Sequence, residues 1–140
     1  MRRKDKEITD IKSIEEIISR AEVFRLALSL DDSPYVVPLC FGYRANTIYF
    51  HSAREGKKID ILKNNNKVCF EFDIDYELIE SEDSCKWGMR YRSVVGFGKV
   101  VVIENLKEKQ EALAIIMENY TDKTFLFPER MVQATLVAKI

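Results

Sequence analysis

Residues 67–74, KVCFEFDI, alternate one by one, with Val68, Phe70, Phe72 and Ile74 sharing a face. A period of two is the signature of a strand with one buried side, and no helix can gather those four residues on one stripe. The same kind of pattern runs through VFRLALSL at 23–30, and the turn residues DDSP at 31–34 bring the chain back as YVVPLCFGY. A second turn at Ala45-Asn46 precedes TIYFH. The stretch 87–104, WGMRYRSVVGFGKVVVIE, is too long for one flat strand, and Gly96 and Gly98 mark the expected bend. MVQATLVAKI, at 131–140, reads as a last strand. Six strands joined by short turns predict a mainly β, α+β fold: an antiparallel barrel with short helices laid against it.

Three segments carry the helical signal. Ser13 and Glu16 form a capping-box pair ahead of Ile14, Ile17, Ile18 and Ala21. Gly56 to Asn64 would turn Ile59 and Leu62 inward, with Lys57 and Lys58 in the first turn. Asn105 caps a helix that presents Leu106, Ala112, Leu113, Ile116 and Met117 and ends near Tyr120. A chain of 140 residues is one domain's worth, and with 5 Gly and 3 Pro it holds no linker-like stretch, so residues 1–140 are expected to form a single domain.

Charge excludes several classes of partner. Lys and Arg total 22 against 23 Asp and Glu, a net charge of −1, so no general field draws in nucleic acid or anionic lipid. Any pull on an anion must be local. The basic opening Arg2, Arg3, Lys4 and Lys6 is followed by acidic residues rather than an apolar run, which is not the pattern of a signal peptide. No stretch approaches the roughly 18 apolar residues of a membrane span, and Cys40, Cys69 and Cys85 are widely spaced and odd in number. The expectation is a cytoplasmic protein with reduced thiols.

The chemistry concentrates in YFHSAREGKKID, 49–60, which joins a strand to a helix. Two lysines in a first helical turn oppose the macrodipole, which disfavours positive charge there by a few tenths of a kcal/mol or more. An anion would remove the conflict, because free N–H groups, dipole and ammonium groups would all favour it, and Ser52 could add a hydroxyl. The alternative is that both lysines are simply solvated. Pro38 inside YVVPL removes a ladder hydrogen bond, so its strand must lie at an edge or face something other than a strand. Arg90, Arg92 and Ser93 stand in an otherwise apolar stretch, either on a solvent face or at a ligand. Together these features outline a flat, phosphorylated, mostly apolar ligand. The chain's one histidine, His51, either donates a proton beside such a ligand or is hydrogen-bonded into the fold; alone, it makes no transition-metal site. His51 and Ser52 are strand neighbours that point to opposite faces, which argues against a hydrolase triad.

The order PYVVPLCFGY, TIYFHSAREGKKIDIL, VCFEFD, RYRSVVGFGKV resembles the pyridoxamine 5'-phosphate oxidase-like flavin family, and within it the nitroimidazole-resistance subgroup. The likeness covers residues 13–120 and is most specific in FHSAREGKKID and YRSVVGFG. It implies a split β-barrel homodimer with FMN at the interface, reducing a small organic substrate such as a nitroaromatic. It further implies that the backbone around Val37, Pro38 and Leu39 lines the flavin ring with His51 and Ser52 beside it. Lys57 and Lys58 would then approach the phosphate, and Arg92 with Ser93 would complete the site. His51 is the expected catalytic residue. A binding module that holds flavin or haem without turnover is the alternative.

Overall fold

The computed structural model describes residues 3–140, so Arg2 of the basic opening lies outside it. Eight strands form two antiparallel sheets. The first contains β1 (Phe24–Leu30), β2 (Ser33–Leu39), β5 (Lys67–Ile79) and β6 (Gly88–Lys99), in the order β2-β1-β5-β6. The second contains β3 (Phe41–Arg44), β4 (Thr47–Ser52), β7 (Val101–Ile103) and β8 (Leu136–Lys139), in the order β3-β4-β8-β7. The expected count of six is corrected to eight because two of the expected strands each change sheet part-way. YVVPLCFGY divides at Cys40, and the 87–104 stretch divides at Val100, whose N–H donates to the Asn66 carbonyl at 2.9 Å. The bend therefore falls at Val100 and not at the glycines. Gly96 and Gly98 instead leave room for the Phe70 ring and the Ile140 side chain.

The turns follow from their residues. Asp31-Asp32 and Ala45-Asn46 all have positive φ, between 49° and 61°, as two-residue hairpin loops of the primed kind require. In β5 the pairing with β6 slips between Ile74 and Glu77, where Asp75 has φ 59°. That bulge turns Asp75 toward Arg20 and Arg92.

Four helices surround the sheets: α1 (Ile11–Arg20), α2 (Lys57–Asn64), α3 (Leu106–Glu118) and α4 (Glu129–Ala134). Two of them correct the sequence reading. The first helix begins at Ile11 and not at Ser13, because the Asp10 carboxylate caps it by accepting the Ser13 N–H and hydroxyl, each at 2.9 Å. Glu16 is drawn away to Arg20 and Arg92. The last strand is shorter than 131–140, since Pro128 and Glu129 start α4 and only Leu136–Lys139 remains extended. Among the described residues no helix is long and apolar enough to cross a membrane.

Phe24 and Phe72 from the first sheet meet Phe41 and Phe50 from the second at the centre of the core, all four fully buried, with ring centroids 4.9 to 5.8 Å apart. Ile17 and Ile18 of α1 and Ile61 of α2 close over that core. On the outer side of the second sheet, α3 crosses β3 and β4, and Ala112 packs with Ile103 and Val137. The crossing is close at Gly42, where an added Cβ would stand 2.5 Å from the Ile115 carbonyl oxygen. Because that neighbour is helix backbone, Gly42→Ala should destabilise the fold by about 1–3 kcal/mol. The thermal midpoint should fall by roughly 4–10 °C. An unchanged melting curve would contradict this close approach of α3 to β3.

Candidate functional site

β4 decides which side chains face which way. Ile48 and Phe50 are buried in the core, so Ser52 shares their inner side, while Tyr49 and His51 point outward. After Ser52 the chain turns through Gly56, whose φ of 110° is in the region that favours glycine, into α2. No side chain caps this helix; the Ile59 N–H donates to the Gly56 carbonyl at 2.8 Å, and the N–H groups of Lys57 and Lys58 have no hydrogen-bond partner among the described residues. Lys57 and Lys58 stand in that turn, as expected from the sequence. The Lys57 ammonium lies 4.7 Å from the centroid of the Tyr35 ring on β2. Lys58 is half-buried, and the loss of water pushes its ammonium below the usual lysine range. Neither lysine takes part in an ion pair among the described residues. Burial, and then the charge of Lys58, push the His51 imidazole below its ordinary value.

β2 borders this corner as an edge strand, in keeping with Pro38. Pro34 pairs with Ser29 and Pro38 with Arg25, and prolines can occupy only ladder positions whose N–H faces away from the neighbour. The backbone groups of Pro34, Val36 and Pro38 therefore face the free edge. Those of Val37 and Leu39 bond toward β1, and their side chains pack on the core. Of the three residues expected to line a ring, Pro38 alone turns its backbone outward.

Arg92 and Ser93 lie elsewhere. They sit on β6, the opposite edge of the same sheet, three strand spacings or roughly 14 Å from β2. Arg92 is engaged by Glu16 at 3.0 Å and Asp75 at 2.6 Å, and these carboxylates hold its guanidinium firmly protonated. Arg90 is paired with Glu77 at 2.7 Å. Within one chain, then, Ser52, Lys57 and Lys58 come together beside Tyr35, His51 lies on the opposite face of β4 within reach of the Lys58 charge, and Arg92 and Ser93 do not join them.

Three contributors were missed in the sequence. Tyr35 looked like any strand aromatic. Arg54 donates to the Gln133 carbonyl at 2.8 Å and ties the loop before α2 to α4. The segment 127–135 covers the outer side of His51, and its start signal, Pro128 followed by Glu129, was present but read as strand.

The family profile for pyridoxamine 5'-phosphate oxidase matches residues 10–140. A solved structure from Bacteroides thetaiotaomicron, assigned provisionally to 5-nitroimidazole antibiotic resistance, is 40% identical and superposes with a TM-score of 0.85 over 94% of this chain and 79% of that one. The FAD- and haem-binding protein of Mycobacterium smegmatis has the same fold, with a TM-score of 0.85 at 18% identity over 95% of this chain and 66% of that one. An uncharacterised protein of Rhizobium meliloti is 34% identical over 55 residues, which are 39% of this chain and 36% of that protein. With the two sheets, the α2 corner and this match agreeing over nearly the whole length, the chain belongs to the pyridoxamine 5'-phosphate oxidase family.

Proposed function

We propose that the chain is an FMN-dependent oxidoreductase that works as a homodimer on a small organic substrate, a nitroaromatic being one candidate. The observation that carries the reading is the Lys57-Lys58 pair, which opens an uncapped helix and, although Asp60 stands in the same turn, takes part in no ion pair among the described residues. Half-burying an ammonium without a counter-charge is unfavourable in a free protein and favourable once a phosphate arrives. One terminal phosphate fits this corner: two N–H groups of the first turn, two ammonium groups and the Ser52 hydroxyl. The likeness at 40% identity to the Bacteroides protein supports the substrate class.

Bound FMN would supply the redox chemistry, and the protein supplies position and charge. His51 presents a ring N–H that can hydrogen-bond a substrate on the outer side of β4, and in its imidazolium form, which the lowered pKa makes scarcer, it can give that substrate a proton. The Tyr35 ring holds the Lys57 ammonium at 4.7 Å, and the carbonyl-bearing edge of β2 at Pro38 offers acceptors to a flat ring.

Two features support a dimer. The outer face of the β2-β1-β5-β6 sheet leaves Val36, Val95 and Phe97 exposed, Phe97 by 82%. A second copy on this face would also bring a β6 edge, with its Ser93, toward the corner that lacks it.

FMN should bind at least tenfold more tightly than riboflavin, since each charge-assisted phosphate contact contributes roughly 1.5–3 kcal/mol. Lys58→Ala should erase most of that preference in a fluorescence titration. Equal affinity of the wild-type protein for the two flavins would reject the phosphate corner. His51→Ala should keep FMN within a few fold while turnover of a nitroaromatic falls by roughly 10². Outright loss of FMN in this variant would make His51 a binding residue instead. Light scattering of the FMN-loaded protein should give the mass of two chains, and a monomer that retains its flavin would count against a shared site.

A further inference from the structure

On the far side of β4 from Ser52, α3 and α4 enclose a cleft of about 220 Å³ with His51 at its base. Its walls are Leu113 and Met117 of α3, Phe127 of the connecting loop, and Met131 and Val132 of α4. Among the described residues no carboxylate, ammonium or guanidinium lines it. The Thr135 hydroxyl is already committed to the Met131 carbonyl at 2.9 Å, which leaves His51 as the polar side chain free to face a guest. We propose that this cleft binds a small, flat, uncharged molecule of about ten non-hydrogen atoms, with the His51 imidazole as its hydrogen-bonding partner.

Size, polarity and rigidity each support the assignment. Cavities of about 150 Å³ lined by apolar side chains hold benzene, so this one has room for a ring with one or two substituents. A charged guest would lose its hydration without finding an opposite charge in the walls. The two methionines can shift to fit differently shaped rings. The cleft is held open by polar ties that do not depend on the guest. Lys109, only 4% exposed as a residue, donates its ammonium to the Thr135 carbonyl at 2.9 Å, and Arg54 holds the Gln133 carbonyl at 2.8 Å. These fix the C-terminal end of α4, at Gln133 and Thr135, to the loop before α2 and to α3.

Binding in the cleft does not require the α2 corner, which faces the other side of β4; that the guest is the substrate reduced rests on the oxidoreductase reading. The test uses indole, which is flat, uncharged and not readily reduced, titrated into the full-length protein with and without FMN. Indole should bind with Kd of roughly 0.1–1 mM in both states and shift the NMR signals of the single histidine. Indole-3-carboxylate should bind at least tenfold more weakly. Leu113→Trp, which fills the cleft, and Met131→Glu, which places a charge at its exposed rim, should each weaken indole at least tenfold and leave FMN affinity within threefold. No saturation below about 10 mM indole, or an unchanged Kd in both variants, overturns the proposal. Loss of the FMN preference with indole binding intact would sink the oxidoreductase reading and leave the cleft standing.

Discussion

The meeting of four phenylalanine rings holds everything else in register. Phe24 and Phe72 come from one sheet and Phe41 and Phe50 from the other, and burial of each stabilises the fold by roughly 1.5–3 kcal/mol. Phe50 can reach the centre only if β4 turns Ile48 and Ser52 the same way. A slip of one residue would exchange every side chain between the faces, placing Ser52 under α4 and His51 in the barrel. The contrast along β4, a lysine-bearing corner on one side and an apolar cleft on the other, is thus a by-product of core packing.

Against that framework the charges fall into two kinds. Arg20, Arg25, Arg44, Arg90 and Arg92 each meet a carboxylate, and several bridge elements: Arg92 binds α1 to the β5 bulge, and Arg25 sits between Glu71 and Asp73. Exposed pairs of this sort contribute little individually, typically under about 1 kcal/mol. Lys57 and Lys58 are of another kind, cations gathered where the helix dipole opposes them, with the Tyr35 ring beside Lys57 and no ion pair for either among the described residues. The arginines serve the fold, whereas the lysine pair is unfavourable for it. Charge placed against the interest of stability is the usual mark of a residue kept for a ligand.

Much of this was legible in the sequence because local chemistry fixes it. Positive φ at Asp31-Asp32 and Ala45-Asn46 follows from turn residues, and the period of two in 67–74 survives in the burial of Val68, Phe72 and Ile74. The lysines at the head of α2 and the edge position of Pro38 were readable for the same reason. What was hidden depends on distant partners. An apolar stretch looks the same on either side of Cys40 or Val100, so nothing local announces a change of sheet. Whether Arg92 meets a ligand or Glu16 is decided by residues 76 positions apart. The six residues of α4 resembled strand because a helix so short carries less than two turns of period.

The two prolines of β2 have a consequence for the life of the protein in a crowded cell. With Pro34 and Pro38 facing outward, the free edge of the strand offers a single donor, the Val36 amide, flanked by positions that have none. Another chain's strand laid along it would find acceptors but almost nothing to donate to its own carbonyls. Edge-to-edge association, the common route by which exposed sheets grow into aggregates, is blocked at the first rung. A flat molecule asks for no such ladder, so the edge stays open to a ligand while remaining closed to stray polypeptide.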